Sequence, residues 1–349
     1  MSVFRVALSS DFRKADGAPA YPMFDLAPLT SRAGVELGYV EPVDGVMPAG
    51  ALAEYDALIL LMPKFTAASV PANGRLAAVA RFGVGYDTVD VPALTAAGMP
   101  LVITPDGVRR PVAVAILTFI LALSGRLMVK DRLTREGSAG FAQRGAHMGV
   151  GLVGKTLGSI GIGNIGAEMF RLAQPFDMRF IAHDPYADAG VARALGIELV
   201  DLPSLFARAD ILTVNCPYSP ATHHLVNAER LALMQPSAFF INTARGPIVD
   251  QKALTRVLAE HRIAGAGLDV LEQEPPETDD PILKLDNVIF APHALCWTDQ
   301  CFAGNGAADV AAVLEIMAGR DPRGVVNRAV LETPQWAARL ADYARRFAA

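Results

Sequence analysis

Apolar positions along this chain fall into short runs that alternate with helical or loop stretches, and the alternation occurs twice. The first series holds "FRVALSS", "DALILLM", "RLAAVARFG" and "PLVITP" and ends near Pro105. The second opens at Thr156 with "TLGSIGIG", followed by a helical "NIGAEMFRLAQPF", then "RFIAHD", a helical "LPSLFARA", "DILTVNCP", "AFFINTA", "IAGAGLDV" and "NVIFAPH". Each strand-like run is short, β-branched or aromatic, and bounded by Gly, Pro or polar residues, the pattern of strands buried on both faces of a parallel sheet. Two α/β sheets in series, both Rossmann-like or flavodoxin-like, account for the length.

The second series begins near the middle of the chain, so it predicts a domain inserted into the first. The expected boundaries put residues 1–104 and 299–349 in one domain and 105–298 in the other, with the cleft between them as the expected ligand site. "FAGNGAADVAAVLEIMAG" reads as an Ala-rich helix returning to the first domain, and "PQWAARLADYARRFAA" as a terminal helix packed on it. The longest apolar run, "VAVAILTFILAL" from Val112, is shorter than the roughly 20 residues a membrane span needs and predicts a core helix.

Composition narrows the class of partner. With 349 residues, 52% hydrophobic and 19% charged, the chain suits a soluble α/β protein, and a net charge of -5 with mixed signs gives no footprint for nucleic acid or an anionic membrane. A small molecule is the expected partner. Three cysteines, Cys216, Cys296 and Cys301, form no CxxC pair and are odd in number, which fits a reducing, cytoplasmic compartment. The opening "MSVFRVALSS" is too short an apolar run for a signal peptide and reads as a buried strand.

Gly161, Gly163 and Gly166 satisfy G-x-G-x-x-G at a strand-to-helix turn, where they allow the turn, the approach of a pyrophosphate and close helix packing. The next strand ends in Asp184, 184 − 161 = 23 positions on, near the spacing of about 20 for a carboxylate on the adenosine ribose. That carboxylate accepts both ribose hydroxyls and repels a 2′-phosphate, so NAD is the expected cofactor rather than NADP.

Three later strands end in polar residues: Arg245 in "INTARGPIVD", Asp269, Glu272 and Glu274 in "GLDVLEQEPPE", and His293 in "APHALCWT". Ligands of an open parallel sheet sit at the carboxyl ends of its strands, so these groups are expected to converge. Arg245 offers a planar fork for a carboxylate. His293 exchanges a proton near neutral pH, and Glu274 on its other ring nitrogen would orient it and favour its protonated form. Together with a hydride donor, such groups serve reduction of a 2-oxo acid.

The chain resembles the D-isomer-specific 2-hydroxyacid dehydrogenase family, in which phosphoglycerate, glycerate and D-lactate dehydrogenases fall. The resemblance runs from "RFGVGYDTVDV" to "GVVN" and rests on "GKTLGSIGIGNIG", "HDPY", "VNCPYSPATHHLV", "FFINTARGPIVDQKAL", "GLDVLEQEPP" and "APHALCWT" in that order. It implies that Arg245 binds and polarises the substrate, that Glu274 supports the histidine and that His293 is the acid/base. It also implies that backbone amides at Val84 and Gly85 grip the substrate carboxylate, and that Asn164, Ile165, Asp184, Thr243, Ala244 and Asp269 contact the cofactor. A homodimer joined through the cofactor domains is implied as well.

Two departures from the family pattern stand out. Leu295 and Trp297 make the segment after the histidine bulkier, and Val112, Ala113 and Val114 stand where the family carries Val-Ala-Glu, preceded by Arg109 and Arg110. Lys64 and Arg109 are candidates for a second anionic group of the substrate, or solvated. The alternatives are a formate-dehydrogenase-like enzyme, which has Gln where Glu274 stands, and a nonenzymatic NAD-sensing corepressor, which a turnover assay separates. A metal on His293, Cys296 and Cys301 lacks a fourth ligand, so no metal is expected.

Overall fold

The structure is a computed structural model and describes residues 3–347. The chain divides into two compact units: one holds the residues up to 108 together with those from 298 onward, the other residues 109–297.

The first unit is built on five strands: β1 (Phe4–Ser9), β2 (Val35–Val40), β3 (Ala57–Leu60), β4 (Ala78–Arg81) and β5 (Leu101–Ile103). All pair in parallel in the order β2-β1-β3-β4-β5, the doubly wound order of flavodoxin-like sheets. β3 is buried along its whole length, because its two faces are both covered. The terminal helix Pro334–Phe347 closes this unit: Tyr343 and Phe347 each meet Phe4 edge-on at 5.4 Å, and Trp336 Nε1 donates to Asp321 at 2.7 Å.

The second unit carries β6 (Thr156–Ile160), β7 (Arg179–His183), β8 (Ile197–Leu199), β9 (Ile211–Val214), β10 (Phe239–Asn242), β11 (Gly265–Leu268) and β12 (Val288–Phe290). Its all-parallel order is β12-β11-β10-β9-β6-β7-β8. The direction of winding reverses between β6 and β9, the switch point at which doubly wound sheets bind dinucleotides. Carboxylates start the helices that follow the strands: Asp201 caps Leu202–Arg208 and Asp250 caps Gln251–Ala259, each accepting from the third amide on.

The apolar run from Val112 lies in the helix Pro105–Ser124, the one helix among the described residues long and apolar enough to cross a membrane. Ala113, Ile116, Phe119, Ile120 and Leu123 are buried in the core of the second unit. Phe119 lies so close to β11 that a β-carbon on Gly267 would sit 2.6 Å from its ring. The run is therefore a core helix whose burial stabilises this sheet, at about 1.5–3 kcal/mol for each large apolar side chain removed from water.

Two strands are absent from the sequence reading, β2 and β8, and both are sheet edges. "VELGYV" is only part-buried along most of its length and "IEL" buries one residue of three, so neither shows the continuous apolar run that marks the inner strands.

Candidate active site

The glycine turn joins β6 to the helix Asn164–Ala173. Gly161 has φ 95°, and a β-carbon there would approach Cys216 N to 2.9 Å, so this position admits only glycine. At Gly166 a β-carbon would stand 2.5 Å from Gly161 O, which sets how closely the helix packs on the turn. Gly163 differs: a β-carbon there meets nothing within 4 Å, so its absence leaves open space at the first turn of the helix. The helix amides there favour an anion such as a phosphate. Asn164 is exposed beside that space, and Ile165 packs on the core.

Asp184 follows β7 and faces the same turn. Its Oδ2 accepts Ile162 N at 2.9 Å and its Oδ1 accepts Tyr186 N at 2.8 Å. The carboxylate thus caps the bend before Pro185 and ties β7 to the glycine turn, with lone pairs on both oxygens to spare for ribose hydroxyls. Asp184→Ala is expected to weaken NADH binding roughly 10- to 150-fold, the equivalent of a charge-assisted hydrogen bond, and to narrow the gap to NADPH. Titration of both cofactors checks it; a native preference for NADPH would remove the ribose assignment.

β10 ends at Asn242, whose side chain accepts Ala244 N at 3.0 Å and donates to Arg245 O at 3.0 Å. This wraps the following loop tightly around one buried amide. Thr243 Oγ1 is buried with no hydrogen-bond partner among the described residues, a cost normally met by a ligand or water. The half-buried Arg245 donates from Nη1 to Ala244 O at 2.6 Å, which ties the guanidinium to its own loop.

The loops after β11 and β12 build a histidine–carboxylate pair. Buried Asp269 accepts Ala294 N at 3.0 Å and Leu295 N at 3.1 Å on Oδ1, while its carbonyl accepts His293 N at 2.8 Å. Its carboxylate is thus engaged with the backbone of the histidine loop, although the family resemblance assigns it to the cofactor. Burial raises its pKa, and the Leu295 and Ala294 amides oppose that rise. His293 sits at φ 54°, a left-handed position that a residue with a β-carbon holds only under local constraint. Its Nδ1 lies 2.8 Å from Glu274 Oε2, and Glu274 Oε1 accepts Leu271 N at 3.0 Å. Burial pushes the Glu274 carboxyl up, but the hydrogen bond and charge of His293, the Leu271 amide and the Arg245 charge outweigh it and hold the group below its ordinary value. Nδ1 is committed to the carboxylate, which leaves Nε2 as the ring nitrogen for exchange with a ligand.

Val84 and Gly85 lie in the first unit, in the loop after β4. That loop is held from below: Gly83 N donates to Thr104 Oγ1 at 2.8 Å, Thr104 N donates to Gly83 O at 2.9 Å, and Thr104 Oγ1 donates to Asn305 at 2.8 Å. Lys64 is exposed in the same unit. In the second unit Arg110 Nε pairs with the buried Glu168 at 2.6 Å, and Arg171 pairs with the same carboxylate. Glu168, on the glycine-turn helix, thus supplies the carboxylate that pairs with Arg110. Leu295 packs on the core and Trp297 is exposed.

A second pair escapes the sequence reading. His224 Nε2 lies 2.6 Å from Glu272 Oε1, and these residues are 48 positions apart. "HH" and "EQE" carry no spacing that links them.

Against known proteins, residues 117–294 match the family model described as D-isomer specific 2-hydroxyacid dehydrogenase, NAD binding domain. The D-3-phosphoglycerate dehydrogenase of Methanocaldococcus jannaschii is 37% identical over 297 residues, 84% of this chain and 56% of that protein, so the chain spans about half of that relative. The glyoxylate reductase of Korarchaeum cryptofilum is 36% identical over 279 residues, 79% of this chain and 84% of that protein. Among solved structures, a glyoxylate reductase from Paecilomyes thermophila superposes with a TM-score of 0.79 at 23% identity, covering 93% of this chain and 99% of that one, a likeness of fold.

Proposed function

The chain belongs to the D-isomer specific 2-hydroxyacid dehydrogenase family, NAD-dependent oxidoreductases of 2-hydroxy acids, and from that premise we propose roles for its residues in the reduction of a small 2-oxo acid. The His293–Glu274 contact at 2.8 Å carries the reading, because it fixes the ring and leaves Nε2 to act. NAD, held by the Gly161–Gly166 turn, Asp184 and the loop at Thr243, supplies the hydride. Three features support that placement: the open space at Gly163, the uncommitted hydroxyl of Thr243 and the carboxylate at the end of β7. Arg245 holds the substrate carboxylate with its planar fork and draws electron density from the adjacent carbonyl. The amides of Val84 and Gly85, in the first unit, are the donors that the family resemblance assigns to a substrate carboxylate. His293 Nε2 delivers the proton to the carbonyl oxygen, and in the opposite direction it removes the hydroxyl proton.

Initial rates with NADH and a series of 2-oxo acids test the proposal. The likeness to glyoxylate reductases supports trying glyoxylate first, then hydroxypyruvate, with phenylpyruvate as the bulky extreme. NADH oxidation by none of the series would leave a nonenzymatic role instead.

Glu274→Gln is expected to retain the fold and to move the alkaline limb of 2-oxo acid reduction to lower pH, because a neutral amide replaces the carboxylate paired with His293 Nδ1. The carboxylate's own lowered pKa sets the other limit. Its partnership with His293 is complete above the ordinary carboxylate value and is lost only as pH falls through the lowered one. An unmoved limb in the kcat/KM profile would show the two groups to be uncoupled.

A homodimer through the second unit is supported by large apolar side chains exposed close together in sequence, Leu127, Met128, Phe141, Met148, Val150 and Val153. Molar mass from light scattering tests it, and a monomer would overturn it. Three free cysteines support a cytoplasmic setting, which cell fractionation checks.

A further inference from the structure

The second histidine–carboxylate pair sits where three loops of the second unit meet. Glu272 Oε1 takes His224 Nε2, while Glu272 Oε2 accepts Gln251 N at 3.2 Å and Glu272 N donates to Gln251 Oε1 at 2.8 Å. The residue is thereby bonded through both its side chain and its main chain. His224 arrives on the loop after β9. Its amide donates to Pro247 O at 3.0 Å, and Val226 N donates to Ile248 O at 3.0 Å, so that loop is laced to the turn directly after Arg245. The turn also abuts the β11 loop: a β-carbon on Gly246 would collide with Leu271 O. Leu271 N, in turn, holds Glu274. His224 has φ 48°, so like His293 it occupies a left-handed position that only its surroundings maintain.

We propose that the His224–Glu272 pair is a positioning clamp for the substrate-binding arginine. It fixes the turn Gly246–Ile248 against the segment Leu271–Glu274, and so sets Arg245 in register with Glu274 and His293. Arg245 adjoins that turn, and Glu274 lies two residues from Glu272, so a slip between the two loops displaces one group relative to the other. His224 touches no reacting atom in this role and acts through Arg245. The inference rests on the reading of Arg245 as the carboxylate fork.

The test compares His224→Leu, His224→Gln and Arg245→Lys in the full chain with NADH and the best 2-oxo acid. His224→Leu is expected to raise KM for the 2-oxo acid about 10-fold with a smaller fall in kcat, since misplacement by an ångström remote from the chemistry costs rates on this order. NADH affinity stays within about twofold, and the limbs of the pH profile stay in place because His293 remains the acid. His224→Gln, whose amide reaches the place of Nε2, restores KM. A native KM in His224→Leu, or no restoration by Gln, overturns the clamp. So does a moved pH limb, which would make His224 a titrating catalytic group. Where His224→Leu fails to fold, Glu272→Ala takes its place, since it removes the acceptor that holds His224 Nε2; KM must then rise severalfold or the clamp is overturned. An unimpaired Arg245→Lys overturns the reading of Arg245 and the clamp with it, whereas an impaired Arg245→Lys beside a native His224→Leu overturns the clamp alone.

Discussion

His293→Ala is expected to lower kcat for 2-oxo acid reduction on the order of 10²-fold or more while NADH binding stays close to native, because a positioned general acid acts in the transition state. The geometry concentrates this effect on one nitrogen. Nδ1 is engaged by Glu274 at 2.8 Å, so loss of the ring removes the proton carrier that the carboxylate orients. The backbone at this residue adds a condition, since φ 54° is a position that alanine tolerates poorly. His293→Asn is the control, because asparagine accepts left-handed backbone more readily and still lacks a group that titrates near neutral pH. Both variants should fall together in kcat and differ in melting temperature. Near-native turnover by the Asn variant would eliminate His293 as the acid, and a fall confined to Ala would assign the effect to the backbone.

The parts of this site legible in the sequence are those that the chain specifies locally. The glycines at 161, 163 and 166 announce a turn; at 161 and 166 a β-carbon would collide with backbone, and at 163 its absence leaves open space. Asp184 was legible through its distance from Gly161, although spacing could not disclose that the same carboxylate holds Ile162 N. Arg245, Glu274 and His293 were legible because strand ends in a parallel sheet share one edge, a rule of topology rather than of pairwise contact. What escaped depends on contacts between distant segments. His224 meets Glu272 only once the loops after β9 and β11 are folded; Glu272 is legible as a strand-end carboxylate, but nothing in the sequence marks His224 as its partner. Arg110 reads as a surface charge on its own, but folding brings Glu168 from the glycine-turn helix to meet it. β2 and β8 escaped because they are largely part-buried or exposed and carry polar or glycine positions, so the apolar run that marks β3 or β9 is missing; the edge strands β5 and β12 keep such a run and were legible.

Arg245→Lys separates charge from geometry, since both side chains are cationic and only arginine presents a planar fork. One donor of that fork serves Ala244 O at 2.6 Å, which anchors the guanidinium to its own loop and fixes the orientation of the fork. Lysine donates from one nitrogen and cannot present two parallel donors in a plane to the substrate carboxylate while holding that anchor. A charge-assisted hydrogen bond is worth about 1.5–3 kcal/mol, so the loss of one from the bidentate pair is expected to lower kcat/KM roughly 10- to 150-fold. Part of this should appear in KM, because the substrate carboxylate is held in the ground state as well as in the transition state. The pH limbs should stay where they are in the native enzyme, as His293 and Glu274 keep their contact. Measurement of kcat and KM across pH on one 2-oxo acid decides the matter: a native kcat/KM would place the carboxylate elsewhere, and a shifted limb with unchanged KM would make Arg245 a modulator of the histidine pair instead of the substrate's partner.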